Sequence, residues 1–398
     1  MKKIGIIRIP FNIDSLRQVT DQLSFFEGDV YLIDLSNRLA TVNKESLSAN
    51  VKLASCDSYE LDCLVELVQF LKLDNVISFP EAGLIDSARI RDELGMRGHS
   101  YEVELNSTNK YLMRQSFLRD KLTQVHSRKC NIIELYSTLL DFGFPAIVKP
   151  SNLTGGIGVQ FIESKKEIIN YVNRINNNPY SRDCDLVIES FISGAEYSVE
   201  GVLLDNTIHI YGITEKQTTG APYFVEVGHA FCPNHPLIEV LVPSLKSFFK
   251  SLGMFLCPFH IEFKVVDGCI EIIEVHSRFG GDYITKLIEY SIGSKVYLDY
   301  INYLVFGIVP CIDKHQSTIT TIQFSVSLGG KVESITSLEP SFLDDLLEYK
   351  VVVKEGDVLN PQVGYYERPA YFIARIENTS QIDNLRSRIN HFVIELCT

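Results

Sequence analysis

Apolar and polar residues in the first hundred positions follow two alternating patterns. Apolar runs over residues 4–9, 30–35 and 75–79 predict short buried strands. Between the second and third runs, residues 59–71 carry apolar side chains at helical spacing. Strands that alternate with helices favour an open α/β sheet, so we expect an N-terminal α/β domain over residues 1–106.

The same patterns divide the rest of the chain into two further segments. Residues 107–310 alternate strands with helices, and residues 106–109, Asn-Ser-Thr-Asn, offer helix-capping side chains before a helix that starts at about Lys110. Residues 311–398 predict a small α+β lobe. Its predicted elements are a strand over 322–328 that enters a turn at Gly329-Gly330, strands over 349–353 and 370–376, and a closing amphipathic helix over 380–396.

Composition and charge exclude several kinds of protein. The chain has 398 residues, of which 45% are hydrophobic and 22% charged, enough for two or three soluble globular domains. A net charge of -13 without a basic cluster argues against nucleic acid as a partner. No apolar run approaches the ~20 residues that span a bilayer, and nine cysteines without a C-x-x-C pair indicate free thiols. We expect a cytoplasmic protein with no membrane or nucleic-acid partner.

Two glutamates interrupt the apolar strands of a β-hairpin predicted over residues 260–276. Glu262 stands in the first strand and Glu274 in the second, with a turn at Asp267-Gly268. A three-residue loop would place the glutamates opposite each other, whereas a strict two-residue turn would place them on opposite faces. Facing buried carboxylates repel each other unless a divalent cation lies between them. The facing register therefore predicts a metal site, and the alternative is a hairpin whose glutamates face solvent.

A strand that ends in a lysine precedes a glycine-rich loop. Residues 145–150 predict a buried strand with Lys149 near its end, and Gly155, Gly156 and Gly158 follow. Glycines let backbone N–H groups approach phosphate oxygens, and the lysine adds a cation. The lysine precedes the glycines, whereas in a Walker A loop it follows them. The alternative is a flexible loop without a ligand.

An apolar strand over residues 186–192 runs into a second strand through Gly194. In this arrangement the backbone of residues 190–192 can contact the edge of an adenine ring, and Glu196 lies within reach of ribose hydroxyls. The alternative leaves Glu196 and Glu200 as ordinary strand glutamates.

In their order along the chain, these motifs resemble the ATP-grasp superfamily. The resemblance covers Lys110, V-K-P at 148–150, the glycine loop, the strands over 187–201 and the hairpin with R-F-G-G-D at 278–282. The S-V-E-G after Tyr197 and the E-V-G-H at 226–229 are most similar to the L-amino acid ligase and carnosine synthase branch. The resemblance implies an α/β ATP-grasp fold between a pre-ATP-grasp domain and a small C-terminal α+β lobe.

The resemblance also implies an ATP-dependent carboxylate–amine ligase. In such enzymes the γ-phosphoryl group of ATP moves to a carboxylate, and an amine attacks the acyl phosphate with release of ADP and phosphate. The implied cofactors are ATP and Mg²⁺, and the implied partners are a small carboxylate such as an amino acid and an amine. A homodimer is a common form in the family. Two alternatives stay open: a biosynthetic ligase whose acceptor is a carrier protein or a secondary metabolite, and a non-catalytic ATP-binding protein.

Each motif residue receives a role from the resemblance. The implied ATP-binding residues are Lys110, Lys149, Gly155, Gly156, Gly158, Glu189, Ser190, Phe191, Ile192 and Glu196. The implied metal ligands are Glu262 and Glu274, with His276 at the position of a third. The implied catalytic residues are Lys216 and Arg278, and the implied substrate-binding residues are Glu226, His229, Gly280 and Gly281.

Two positions depart from the family pattern. His276 stands two residues after the second metal glutamate, where asparagine is usual, and imidazole is a poorer ligand for Mg²⁺ than an amide oxygen. Three outcomes stay open: a second metal ion held differently, a preference for Mn²⁺, or a histidine that packs beside the site. Gly156 stands where many relatives have serine, so it offers phosphate only a backbone N–H.

Overall fold

The computed structural model describes residues 1–315, 317–325, 328–335, 343–361, 368–389 and 394–397. Within these ranges the strands form four sheets, and helices pack on them in an α/β arrangement, as the sequence predicts. No helix in the described ranges is both long and apolar enough to cross a bilayer.

The N-terminal segment is a parallel sheet that is buried on both faces. Its elements are β1 (Lys2–Ile7), α1 (Ile13–Leu23), β2 (Gly28–Leu35), α2 (Ser36–Leu39), β3 (Val51–Cys56), α3 (Leu61–Leu71), β4 (Asn75–Ile77), α4 (Leu84–Leu94) and α5 (Tyr101–Thr108). Ile6 packs in one apolar cluster with Leu16 of α1, and Ile7 packs in another with Leu64 of α3. Two covered faces explain the continuous apolar runs. The predicted strands and helix are confirmed, with β1 beginning two residues early.

The order of the strands in this sheet, β3-β2-β1-β4, reverses between β1 and β4. Ligands of open α/β sheets bind at such a point, in the crevice outside the carboxyl ends of the strands. Here residues 10–12, which follow β1, and residues 79–82, which follow β4, line one cavity. Gly83 fixes the second loop, because a Cβ atom there would lie 2.4 Å from the carbonyl oxygen of Ile7.

A small antiparallel sheet follows α6 (Lys110–Arg119), the helix predicted after the capping segment 106–109. Only Asn109 of this segment caps it, because residues 106–108 belong to α5. Its elements are β5 (Ser127–Cys130), α7 (Leu135–Phe142), β6 (Ala146–Pro150), β7 (Gln160–Ile162), α8 (Lys165–Asn177) and β8 (Leu186–Ser190). The strands pair in the order β5-β8-β6-β7, and their core includes Val148, Tyr171 and Ile188. The glycine loop connects β6 to β7 and therefore lies at one side of this sheet.

An eight-stranded antiparallel sheet forms the centre of the protein. Its strands are β9 (Glu196–Leu204), β10 (Thr207–Thr218), β11 (Glu226–Cys232), β12 (Cys257–Val266), β13 (Cys269–His276), β14 (Ile319–Phe324), β16 (Leu346–Val351) and β18 (Ala370–Ile376), in the order β13-β12-β9-β10-β11-β14-β18-β16. The helices α6 and α9 (Leu237–Leu252) contribute to one apolar cluster with it, and α10 (Ile284–Ile292) and α11 (Val296–Phe306) contribute to another. Strands from beyond residue 310 thus extend the same sheet. The division of the chain at residues 106 and 310 stays a prediction.

Two predictions for the C-terminal segment are wrong. Gly329 and Gly330 lie inside β15 (Leu328–Ile335) rather than in a turn, because Gly330 pairs with Leu359 of β17 (Val358–Pro361). The predicted closing helix ends early, since α12 (Ile382–Ile389) is followed by β19 (Ile394–Cys397), which pairs with β15. A short apolar pattern does not separate helix from strand, and pairing with β15 decides it. The strands predicted over 349–353 and 370–376 are confirmed as β16 and β18, and Val326 lies outside the described residues.

Candidate functional site

A cavity of about 520 Å³ is lined by the small sheet, the central sheet and the crevice of the N-terminal sheet. Most of the predicted site residues meet there. They are Lys110, Lys149, Gly155, Gly156, Glu189, Ser190, Phe191, Ile192, Glu196, Lys216, Glu226, Glu262, Glu274, His276, Arg278, Gly280 and Gly281. Gly158 packs against Pro150 behind the lining, and His229 is fully buried. The motifs therefore belong to one site rather than to several separate ones.

The two hairpin glutamates face each other, although the loop between them is not the three-residue one. The turn contains only the two residues Asp267-Gly268. A strict ladder from that turn would pair Glu262 with Ile273 and turn Glu274 to the other face. A β-bulge next to Glu262 adds one residue to β13, and Glu262 then pairs with Glu274. The facing register is confirmed, whereas a three-residue loop as its cause is wrong.

Glu274 is surrounded by cationic side chains. Its two carboxylate oxygens lie 3.3 Å from the ammonium groups of Lys149 and Lys110, respectively. The Nε2 atom of His276 lies 3.3 Å from the second oxygen. Burial disfavours the ionised carboxylate, but the two lysines outweigh burial and hold the pKa of Glu274 well below its usual range. Glu274 is therefore an anion at neutral pH.

Lys216 occupies the centre of three carboxylates. Its ammonium group contacts Glu262 and lies 2.7 Å from an oxygen of Glu226 and 3.9 Å from an oxygen of Glu196. One oxygen from each carboxylate lies within 4.8 Å of the other two. Burial, together with the charges of Glu262 and Glu226, raises the pKa of Glu196 to about 7, although Lys216 opposes the shift. The Nζ atom of Lys264 also lies 4.0 Å from an oxygen of Glu196, and the Nε2 atom of His260 lies 3.2 Å from an oxygen of Glu262. Hard carboxylate oxygens this close together also suit a divalent cation.

Glu81 belongs to the site although no sequence motif points to it. One oxygen of Glu81 lies 2.8 Å from the Nη2 atom of Arg278 and 3.1 Å from the Nδ1 atom of His276. The other ring nitrogen of His276 faces Glu274, so this histidine lies between two carboxylates. The signal that could have revealed Glu81 is its place just after β4, at the reversal point of the N-terminal sheet.

Glu189, Lys149 and Arg114 form a buried ion cluster. The Lys149 ammonium lies 2.9 Å from one oxygen of Glu189, and the Nε atom of Arg114 lies 2.7 Å from the other. None of the three side chains is more than 5% exposed. Both oxygens of Glu189 are thus engaged by cations, and Glu189 holds Lys149 at the wall of the cavity. Residues 190–192, which follow Glu189, line the cavity, and the sequence motif predicts an adenine ring beside their backbone.

Two aromatic rings lie beside this backbone, Phe191 and Phe224, and we call this pair the aromatic slot. The rings of Phe191 and Phe224 stack with their centroids 6.0 Å apart. The ammonium of Lys264 lies 5.4 Å from the first centroid and 5.5 Å from the second, and it donates to the backbone oxygen of Ile192 at 3.1 Å. Two aromatic faces next to backbone polar groups suit a planar base with polar atoms along one edge. Phe224 and Lys264 were not predicted, because single residues of these types form no motif.

The glycine loop contributes two of its glycines to the cavity wall. Gly155 and Gly156 have φ angles of 64° and 69°, where L side chains are disfavoured, and a Cβ atom on Gly156 would meet nothing within 4 Å. Gly158 instead packs closely against Pro150, because a Cβ atom on Gly158 would lie 2.7 Å from the ring of Pro150. The hydroxyl of Tyr171 donates to the carbonyl of Gly158 at 3.0 Å and fixes the base of the loop.

A second buried ion cluster supports the opposite wall. Asp282 accepts a hydrogen bond from Arg368 at 2.7 Å and lies 3.3 Å from the Nε2 atom of His229. Burial opposes ionisation of Asp282, but Arg368 and His229 outweigh it and hold its pKa well below the usual range. His229 therefore acts on the cavity through Asp282 and its neighbour Glu226. Arg368 was not predicted, because it lies far along the chain from every motif.

Comparisons with known proteins match the part of the chain that contains most of these residues. The family model for the ATP-grasp domain matches residues 142–286. The alanine–anticapsin ligase of Bacillus subtilis (strain 168) is 23% identical over 269 residues, which cover 61% of this chain and 56% of that protein. The chain thus spans little more than half the length of this curated relative.

Solved structures extend the similarity over the whole chain. The L-amino acid ligase from Bacillus licheniformis has a TM-score of 0.79 and 17% sequence identity, over 100% of this chain and 99% of that one. The phosphoribosylglycinamide synthetase from Anaerococcus prevotii has a TM-score of 0.70 and 18% identity, over 100% of each chain. At such identities the likeness concerns the fold, and the predicted fold is confirmed.

Proposed function

Because the chain belongs to the ATP-grasp superfamily, near its L-amino acid ligase-like members, we propose that it joins a carboxylate to an amine while converting ATP to ADP and phosphate. The observation that carries this proposal is the facing pair Glu262 and Glu274 beside Lys110, Lys149 and Lys216. Phosphoryl transfer depends on positioning and charge neutralisation more than on a covalent nucleophile, and these residues supply both.

Glu262 and Glu274 would hold Mg²⁺. Their hard oxygens suit this ion, and Glu262 also belongs to a group of three carboxylates whose oxygens lie within 4.8 Å of one another. When bound, the ion would neutralise charge on the outer phosphates of ATP. Mn²⁺ is an alternative, because the Nε2 atom of His276 lies beside Glu274.

The remaining lining residues divide between nucleotide and substrate. The slot of Phe191 and Phe224 would take the adenine, and Lys110 and Lys149 would bind phosphate oxygens. The loop of Gly155 and Gly156 would cover them. The substrate acid, an amino acid or a similar small carboxylate, would lie at the other end of the cavity, beside Arg278 and the crevice of the N-terminal sheet.

The proposed reaction has two steps. A carboxylate oxygen attacks the γ-phosphorus of ATP, and ADP leaves with the electron pair of the broken P–O bond. The amine then attacks the acyl carbon, loses one proton, and phosphate departs with the oxygen that began on the acid. Arg278 presents N–H groups that suit the anionic oxygens of these steps.

An isotope experiment tests this course. If an acyl phosphate forms, acid labelled with ¹⁸O is expected to transfer one labelled oxygen to inorganic phosphate for each product molecule. A screen of acid and amine pairs for ADP release identifies substrates, and mass spectrometry of the phosphate then reads the label. AMP among the products, or unlabelled phosphate in a reaction that forms product, would contradict the acyl-phosphate course. Binding of ATP with no turnover on any pair would favour a non-catalytic ATP-binding protein.

Lys264→Met is expected to raise KM for ATP about tenfold and to leave kcat within about twofold. Methionine keeps the length of the side chain, but it loses the cation over Phe191 and the hydrogen bond to Ile192. Initial rates at varied ATP measure the change. Lys250→Met, at an exposed position of α9, is the control. An unchanged KM for ATP would place the adenine outside the aromatic slot.

A further inference from the structure

We propose that Glu81 is a positioning residue for Arg278: it holds the guanidinium group in the orientation that meets the reacting acid. The inference rests on the proposed ligase function and assigns a task in that reaction to the N-terminal segment. The contact joins residues 197 positions apart, so it forms only when this segment and the central sheet are packed together.

The geometry of Arg278 points to this role. Its Nε atom donates to Glu81 at 2.9 Å, its Nη2 atom lies 2.8 Å from the same oxygen, and its Nη1 atom donates to the carbonyl of Phe279 at 3.0 Å. A guanidinium has five N–H groups, and these contacts engage three of them. One N–H on each terminal nitrogen is left to meet an oxygen of the substrate. The orientation of this pair of donors is set by Glu81.

Glu81 itself is held rigidly. It begins a 3₁₀ turn, Glu81–Gly83, which follows β4. The hydroxyl of Ser78 donates to the carbonyl of Pro80 at 2.8 Å, and Gly83 leaves no room for a shift against β1. A fixed carboxylate of this kind can hold a flexible arginine before the substrate arrives.

Such holding matters because the arginine side chain is long. Fixing it costs rotamer entropy, and a group that is fixed beforehand does not lose this entropy during the reaction. The competing role is direct binding of the substrate amine by Glu81. The contacts favour positioning, since the same Glu81 oxygen faces both Arg278 and His276.

A double-mutant cycle separates the two roles. Glu81→Ala is expected to lower kcat about a hundredfold, with KM for ATP and for the amine within about threefold of wild type. The double variant Glu81→Ala/Arg278→Ala is expected to be no slower than Arg278→Ala alone, because Glu81 acts only through that arginine. Glu81→Gln keeps the size of the side chain and one acceptor oxygen, so it is expected to lower kcat about tenfold. It replaces the alanine variant in the cycle if that variant does not fold.

Asp86→Ala is the matched control. Asp86 lies in the same segment, its side chain is also 11% exposed, and it pairs with Arg8 at 2.7 Å. Loss of an ion pair there is expected to leave kcat near wild type. In an active enzyme, two results would overturn the positioning role of Glu81 and leave the proposed function standing. One is a double variant whose loss of kcat is the product of the two single losses. The other is a raised KM for the amine with unchanged kcat. A wild-type protein that forms no product with any acid and amine would overturn this inference together with the proposed function.

Discussion

Replacing Glu274 by glutamine is expected to lower the rate of product formation by at least about a thousandfold while the protein stays folded. Glutamine has the same shape but no charge, so the site loses the proposed ligand for Mg²⁺ and the counter-charge of Lys110 and Lys149. Lys149 keeps Glu189 as a partner at 2.9 Å, which is why the fold should tolerate the change. ADP release at saturating substrates measures the loss, and thermal unfolding checks the fold.

Glu271→Gln is the control on the same strand. Glu271 stands on β13 three residues before Glu274, and its carboxylate accepts a hydrogen bond from the hydroxyl of Thr123 at 2.8 Å. Its replacement is expected to leave turnover within about twofold. EDTA is expected to abolish turnover of the wild-type protein. Turnover near that of wild type, either in Glu274→Gln or in the presence of EDTA, would show that the metal site lies elsewhere.

Replacing Arg278 by alanine is expected to lower kcat by about a hundredfold to a thousandfold, with KM for ATP changed less than about threefold. The reason is that Arg278 lines the cavity beside Glu81, where we propose that the acid binds and that charge develops as it reacts. Steady-state kinetics with varied ATP separates the two parameters.

Arg278→Lys tests whether charge alone is enough. Lysine keeps the charge but not the planar fork, so it is expected to recover little of the lost rate. A lower affinity for ATP with unchanged kcat would show instead that Arg278 binds a phosphate in the ground state.

The architecture follows from patterns within single segments of the chain. Strands buried on two faces appear as continuous apolar runs, and Ile6 and Ile7 show why: neighbouring residues enter different cores. The helix at Lys110 follows from the capping residue Asn109. The prediction of a closing helix over 380–396 is wrong at its C-terminal end, because Ile394–Cys397 pairs as a strand with β15. The pattern of apolar residues over 380–396 gives no information about this partner strand.

The register of the glutamate hairpin could not be predicted from the sequence. The positions of Glu262 and Glu274 are visible in the sequence, and so is the turn between them. Whether they face each other depends on a bulge beside Glu262 in the pairing of β12 with β13. A bulge of one residue has no sequence signature here. The tertiary structure decided it.

Apolar periodicity predicted the α/β fold class, because it depends on neighbours along the chain. The resemblance of the ordered motifs to a known family implied most of the residues that line the cavity. The partners of the charged residues were decided by tertiary structure alone. Glu81 meets Arg278 across 197 positions, and Arg368 meets Asp282 across 86. Such pairs arise where packing buries one charge and brings an opposite one to it, since a buried charge is stable only when it is paired.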